Sequence, residues 1–94
     1  MSNTWDPIAW HHDALEDPEL ATRAKALVGL LATRELDERR EYVVDKAFLA
    51  DSLGTSKRTV FRALRDLKSR GWLEVDGIRV RATRPNGRFE AAGE

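Results

Sequence analysis

The chain has 94 residues, 16 basic and 16 acidic side chains and a formal net charge of +0, which is the size of one domain with a single modest core. Cysteine is absent, excluding a disulfide framework, a thiolate metal site and a cysteine nucleophile. No basic stretch leads into an apolar run and nothing approaches the ~18 apolar residues of a membrane span, so neither secretion nor a membrane partner is expected and a cytoplasmic location is the default.

Residues 1–16 are expected to form an acidic arm. Trp5, Ile8, Trp10 and Leu15 stand among acids there, and Pro7 is expected to break any early helix. Two tryptophans so close together predict packing, on the domain or on a second subunit. Trp5, Ile8 and Trp10 are therefore candidate self-association residues, and the arm leaves room for a protein partner. Residues 17–83 are expected to form the folded domain. Asp17-Pro18 signals a helix start, Asp17 as N-cap and Pro18 at the first helical position. Leu20, Ala24, Leu27, Leu30 and Leu31 at helical spacing carry that first helix to about Glu35. A charged connection follows, then the β-prone run Tyr42-Val43-Val44.

Asp45 caps a second helix with Phe48, Leu49 and Leu53 inward and the small Ala50 where helices approach closely. Gly54 supplies a positive φ for a tight turn. Ser56 caps a third helix with a buried stripe of Val60, Ala63, Leu64 and Leu67, ended by Gly71. Trp72, Leu73 and Val75 are expected to pair with Ile78, Val80 and Ala82 across Asp76-Gly77, a type I′ hairpin signal. From Thr83 the composition turns polar, so residues 84–94 are expected to be a fraying tail.

Charge is not spread evenly. Residues 1–20 carry −5, residues 21–55 balance, and residues 56–94 carry +5. A polyanion responds to a local basic face rather than to the molecular average. Catalysis and metals find little support. His11 and His12 are the only histidines and diverge by about 100° on a helix, so they cannot readily share a metal. No phosphate-cradling glycine loop and no serine paired with a base is present. Neither an enzyme nor a cofactor is expected.

Residues 48–73 resemble the winged helix-turn-helix domains of bacterial GntR-type and catabolite-activator-type regulators. Ala50, Gly54, Ser56, Thr59-Val60, Arg62-Ala63-Leu64, Leu67 and Gly71-Trp72 fill the places of that motif, and the likeness extends over about residues 20–82. Thr55 departs from it, standing where an aliphatic residue is usual, and so does Phe61, where the residue is commonly small or polar. The fold class implied is mainly α with a small β-hairpin: three helices plus a wing. The resemblance also implies a partner, double-stranded DNA, with the third helix in the major groove.

Carried over residue by residue, Lys57, Arg58, Phe61, Arg62 and Arg65 become the groove candidates. Phe61 is either an apolar contact to a thymine methyl group or a rim residue against the second helix. Thr55, Ser56 and Thr59 suit phosphate contacts. Arg79 and Arg81 lie at period 2 on the wing, and Arg84 and Arg88 extend the basic strip. A homodimer on two half-sites is expected, acting as a small repressor or a plasmid- or phage-type regulator. The rival readings are a winged-helix protein adaptor and an RNA-binding module.

Overall fold

A computed structural model describes residues 6–36 and 39–85. Its elements in chain order are α1 (Pro7–Leu15), α2 (Thr22–Leu30), a π-helical segment (Leu31–Glu35), β1 (Glu41–Val43), α3 (Lys46–Leu53), α4 (Lys57–Arg70), β2 (Leu73–Asp76) and β3 (Arg79–Ala82). Winged helix-turn-helix architecture is present, with one helix more than the three expected.

The additional helix is α1. Pro7 opens it rather than breaking it, because at the first helical position its missing N–H is no loss. The Asp6 carboxylate accepts from the backbone N–H of Ile8 at 3.0 Å and of Ala9 at 3.2 Å. Trp10 and Ala14, four residues apart, share a helix face and are both fully buried. The Trp10 indole N–H donates to the Thr83 carbonyl at 2.8 Å, so α1 reaches the far end of the described chain.

Asp17 is not the N-cap expected of it. The chain turns through Pro18 and Glu19, and α2 begins at Thr22 after Ala21, without a side-chain cap. The Asp17 carboxylate is engaged elsewhere. It accepts from Arg70 Nε at 3.1 Å, Arg70 Nη2 at 3.0 Å, Trp72 Nε1 at 2.8 Å and the Glu19 amide at 2.9 Å. The Arg70 hydrogen bonds, aided by Trp72 and the Glu19 amide and opposed by burial, hold its pKa down from 3.8 to about 2. After α2 the helix widens, with the Leu36 amide donating to the Leu31 carbonyl at 2.9 Å, and Leu31 and Ala32 stay in the core.

The helix-turn-helix unit forms as its residues dictate. Asp45 caps α3 through the Phe48 amide, and Ser56 caps α4 through the Thr59 amide, both at 3.1 Å. Gly54 and Gly71 end the two helices in left-handed conformation, at φ 66° and 87°. The next amide in each case reaches back five residues, Thr55 to Ala50 and Trp72 to Leu67, both at 2.8 Å, the double-bonded glycine stop that satisfies the last carbonyls. Val60, Ala63, Leu64 and Leu67 are all buried, as are Leu49 and Ala50. Phe48, expected inward, is 40% exposed. Thr55 is exposed too, so its polarity costs the core nothing.

The wing is a three-stranded antiparallel sheet in the order β1-β3-β2. β3 pairs on both sides, which adds the run Glu41–Val43 to the expected hairpin. The hairpin register differs from expectation. Asp76 pairs with Arg79, so the two loop residues are Gly77 and Ile78 rather than Asp76 and Gly77. Only Gly77 has a positive φ, 63°, the sign pattern of a type II′ turn rather than type I′. Thr83 to Pro85, next to or within the segment expected to fray, are held down. Thr83 Oγ1 donates to the Gly71 carbonyl at 2.7 Å, and a side chain added at Gly71 would meet Pro85 Cα at 3.1 Å.

Candidate nucleic-acid interface

α4 carries six basic residues and one acid, Asp66. Its buried stripe leaves the opposite face to Lys57, Arg58, Phe61, Arg62 and Arg65, and all five are exposed. Asp66 does not neutralise that face: it accepts from Arg23 Nε of α2 at 2.9 Å. Among the described residues, Lys57, Arg58 and Arg62 have no carboxylate within ion-pair distance. Lys57 and Arg58 also occupy the first turn of the helix, against its positive end, where cations are unfavourable. Thr55 and Ser56 are exposed beside them and Thr59 is half-buried. The Ser56 hydroxyl donates to Thr59 Oγ1 at 3.1 Å. The structure thus gathers on one end of α4 the eight residues, from Thr55 to Arg65, that the sequence nominated there.

Between α4 and the sheet runs an open groove of about 810 Å³. Val43, Phe61, Leu64, Val75 and Ile78 line its apolar part, and Lys46, Lys57, Arg65 and Lys68 its basic part. Lys46 opens α3, and its Nζ lies 5.2 Å from the centre of the Phe61 ring. Arg65 Cζ lies 5.9 Å from the same centre. Lys46 and Lys68 were not among the sequence candidates. No local pattern marks Lys46, because its place beside Phe61 depends on how α3 docks on α4. Lys68 was legible, one turn beyond Leu64 on the groove side.

The wing arginines are placed differently. Arg79 and Arg81 do share the exposed face of β3. The register sets Arg81 directly between Glu41 of β1 and Glu74 of β2, and Arg79 opposite Asp76. Arg79 Nη1 is 3.5 Å from Glu41 Oε1. This face therefore holds three acids beside its two arginines. Arg84 is not brought to α4's leading end. Its side chain is 19% exposed and lies 3.0 Å from Asp13 of α1, at the other end of α4 beside Asp17, Arg70 and Trp72. Arg88 and Trp5 fall outside the described residues.

Of the two places open to Trp10, the structure gives it the chain's own core, so its ring offers no surface to another subunit. Ile8 is exposed. Among the described residues no group of three His, Asp or Glu side chains lies close enough to hold a metal ion, and no helix is long and apolar enough to cross a membrane.

Comparison with known proteins returns one family. The model of the Crp-like helix-turn-helix domain matches residues 24–87, a stretch that runs from within α2 to beyond β3. No curated protein and no solved structure matches the chain. The matched stretch is a DNA-binding regulatory domain, and it contains the whole basic end of α4 and the wing. With about two thirds of its length matched and the helix-turn-helix and wing in place, this chain belongs to the family of Crp-like helix-turn-helix domains.

Proposed function

We propose that this protein binds double-stranded DNA sequence-specifically and regulates transcription in the cytoplasm, as a small repressor or a plasmid- or phage-type regulator, without catalysis. α4 enters the major groove, where Arg58 and Arg62 suit the paired acceptors of guanine, O6 and N7. Thr55, Ser56 and Thr59 sit where backbone N–H groups and hydroxyls meet a phosphate. Lys57 and Arg65 add backbone contacts. The observation that carries this reading is the run from Lys57 to Arg65 of α4: four exposed cations and no acid, on the helix of a Crp-like fold.

Arg79 and Arg81 make weaker, sequence-independent contacts, since Glu41, Glu74 and Asp76 offset them. Arg84 belongs to the scaffold. One helix in one groove gives modest affinity, so we propose a homodimer on two half-sites about one helical turn apart. The exposed α1 residue Ile8 is the remaining described candidate for self-association.

Selection from random duplexes at about physiological salt tests the reading. Recovery of a short motif with two-fold symmetry is the expected result. Weak binding that is indifferent to sequence and falls smoothly with salt would contradict it. A second reading, a protein-docking module, is favoured by one observation: Val43 of β1, Phe61 of α4 and Ile78 of the β2–β3 turn expose apolar surface to one groove. Failure to bind any duplex would select it.

A further inference from the structure

Phe61 stands apart from the rest of α4. The stripe Val60, Ala63, Leu64 and Leu67 already anchors the helix to the core, and Phe61 remains 48% exposed. It lies four residues after Lys57 and is flanked along the helix by Arg58, Arg62 and Arg65, the single apolar side chain on that leading face. Two cations hold the ring from two different elements, Lys46 of α3 with Nζ at 5.2 Å and Arg65 of α4 with Cζ at 5.9 Å. Both are within the ~6 Å at which a cation is attracted to an aromatic face.

The cations of this face have several matches on DNA, phosphates or guanine acceptors. An apolar group has one, because the thymine C5 methyl is the only apolar group at the major-groove edge of the bases. We propose that Phe61 is a specificity-determining residue that reads the C5 methyl group of a thymine, and that Lys46 and Arg65 are positioning residues that fix its ring for that contact. This rests on the proposed entry of α4 into the major groove.

The inference is tested by a uracil scan. In the duplex recovered by selection, each thymine is replaced in turn by deoxyuridine, which removes only the methyl group. The wild-type protein is expected to lose roughly 4-fold in affinity at one position of each half-site, the worth of burying one methyl-sized group. Phe61→Ala should bind the thymine duplex about that much more weakly and no longer distinguish uracil from thymine. Lys46→Met, which keeps the stem and removes the charge, should lower the thymine-to-uracil ratio. A lysine that touched only phosphate would weaken both duplexes equally and leave the ratio unchanged, which would remove Lys46 from the assignment.

Circular dichroism of each variant confirms that the fold is kept. Specific binding with no thymine position sensitive to uracil, or a ratio that survives Phe61→Ala, overturns this inference and leaves the major-groove reading intact. Absence of any sequence preference overturns both.

Discussion

Arg58 and Arg62 near the start of α4 and Arg70 in its last turn are the same side chain on the same helix. Their surroundings differ completely. Arg70 grips the Asp17 carboxylate with two hydrogen bonds, and Trp72 donates to the same oxygen as Arg70 Nε. Arg84 pairs with Asp13 in the same region, and Thr83 ties Trp10 to Gly71. At the leading end Lys57, Arg58 and Arg62 have no carboxylate within ion-pair distance among the described residues. Cations in a last helical turn are favoured by the helix dipole, and in a first turn they oppose it. Charge at the trailing end therefore stabilises the fold, whereas charge at the leading end costs stability and faces outward. A residue type in a motif does not reveal its task; the partners that surround it do.

The trailing end can be broken first. Trp10→Ala removes a fully buried indole and the bond to Thr83, and should cost about 3–5 kcal/mol in chemical denaturation. If α1 were a dispensable arm, the loss would be near zero. Asp17→Ala leaves the buried indole N–H of Trp72 without its acceptor, and should cost about 2–3 kcal/mol, again by denaturation. Asp17 also predicts a pH dependence. Its folded pKa of about 2 lies below the ordinary 3.8, so its contribution is complete above about pH 4 and is lost as pH falls through 2. Melting across that window should show the decline in the wild type, and Asp17→Asn should flatten it.

The leading end should respond in binding, not in folding. Arg58→Ala or Arg62→Ala should cost about 1–3 kcal/mol on the preferred duplex and relax the preference at one position, with melting nearly unchanged. Arg58→Glu sharpens the contrast: it should raise stability by about 0.3–1 kcal/mol through the helix dipole while abolishing DNA binding. The smallest effect belongs to the wing. Arg79→Ala with Arg81→Ala should lower the slope of log K against log salt by less than the roughly 0.9 per phosphate of a full contact, because Glu41 and Glu74 already offset these charges.

The same contrast explains what the chain betrays without its structure. Residues 45–71 were readable because their signals are local: Asp45 and Ser56 as caps, Gly54 and Gly71 as stops, and a stripe at 3.6-residue spacing between them. The leading-end candidates followed from that helix together with the winged helix-turn-helix resemblance. What was missed depended on distant partners. Asp17 before Pro18 looks like a cap, but its carboxylate serves Arg70 and Trp72, more than fifty residues away. Pro7 reads as a breaker until Asp6 is seen capping the helix it opens. Arg79 and Arg81 read as a free basic pair until the register sets acids on either side, and a one-residue difference at Gly77-Ile78 changes the turn. Lys46 gave no signal, since only the docking of α3 on α4 brings it to Phe61.

In the proposed reading α4 meets DNA with Lys57 to Arg65, while Arg70 in its last turn holds the scaffold. The most direct test is titration of 15N-labelled protein with the selected duplex, following the arginine Nε–H and tryptophan indole N–H resonances. Arg58, Arg62 and Arg65 signals should move on binding. Arg70 Nε–H and the Trp10 and Trp72 indoles, already hydrogen-bonded within the fold, should stay in place. Movement at Arg70, Arg84 or Trp72 with Arg58 and Arg62 unchanged would contradict it.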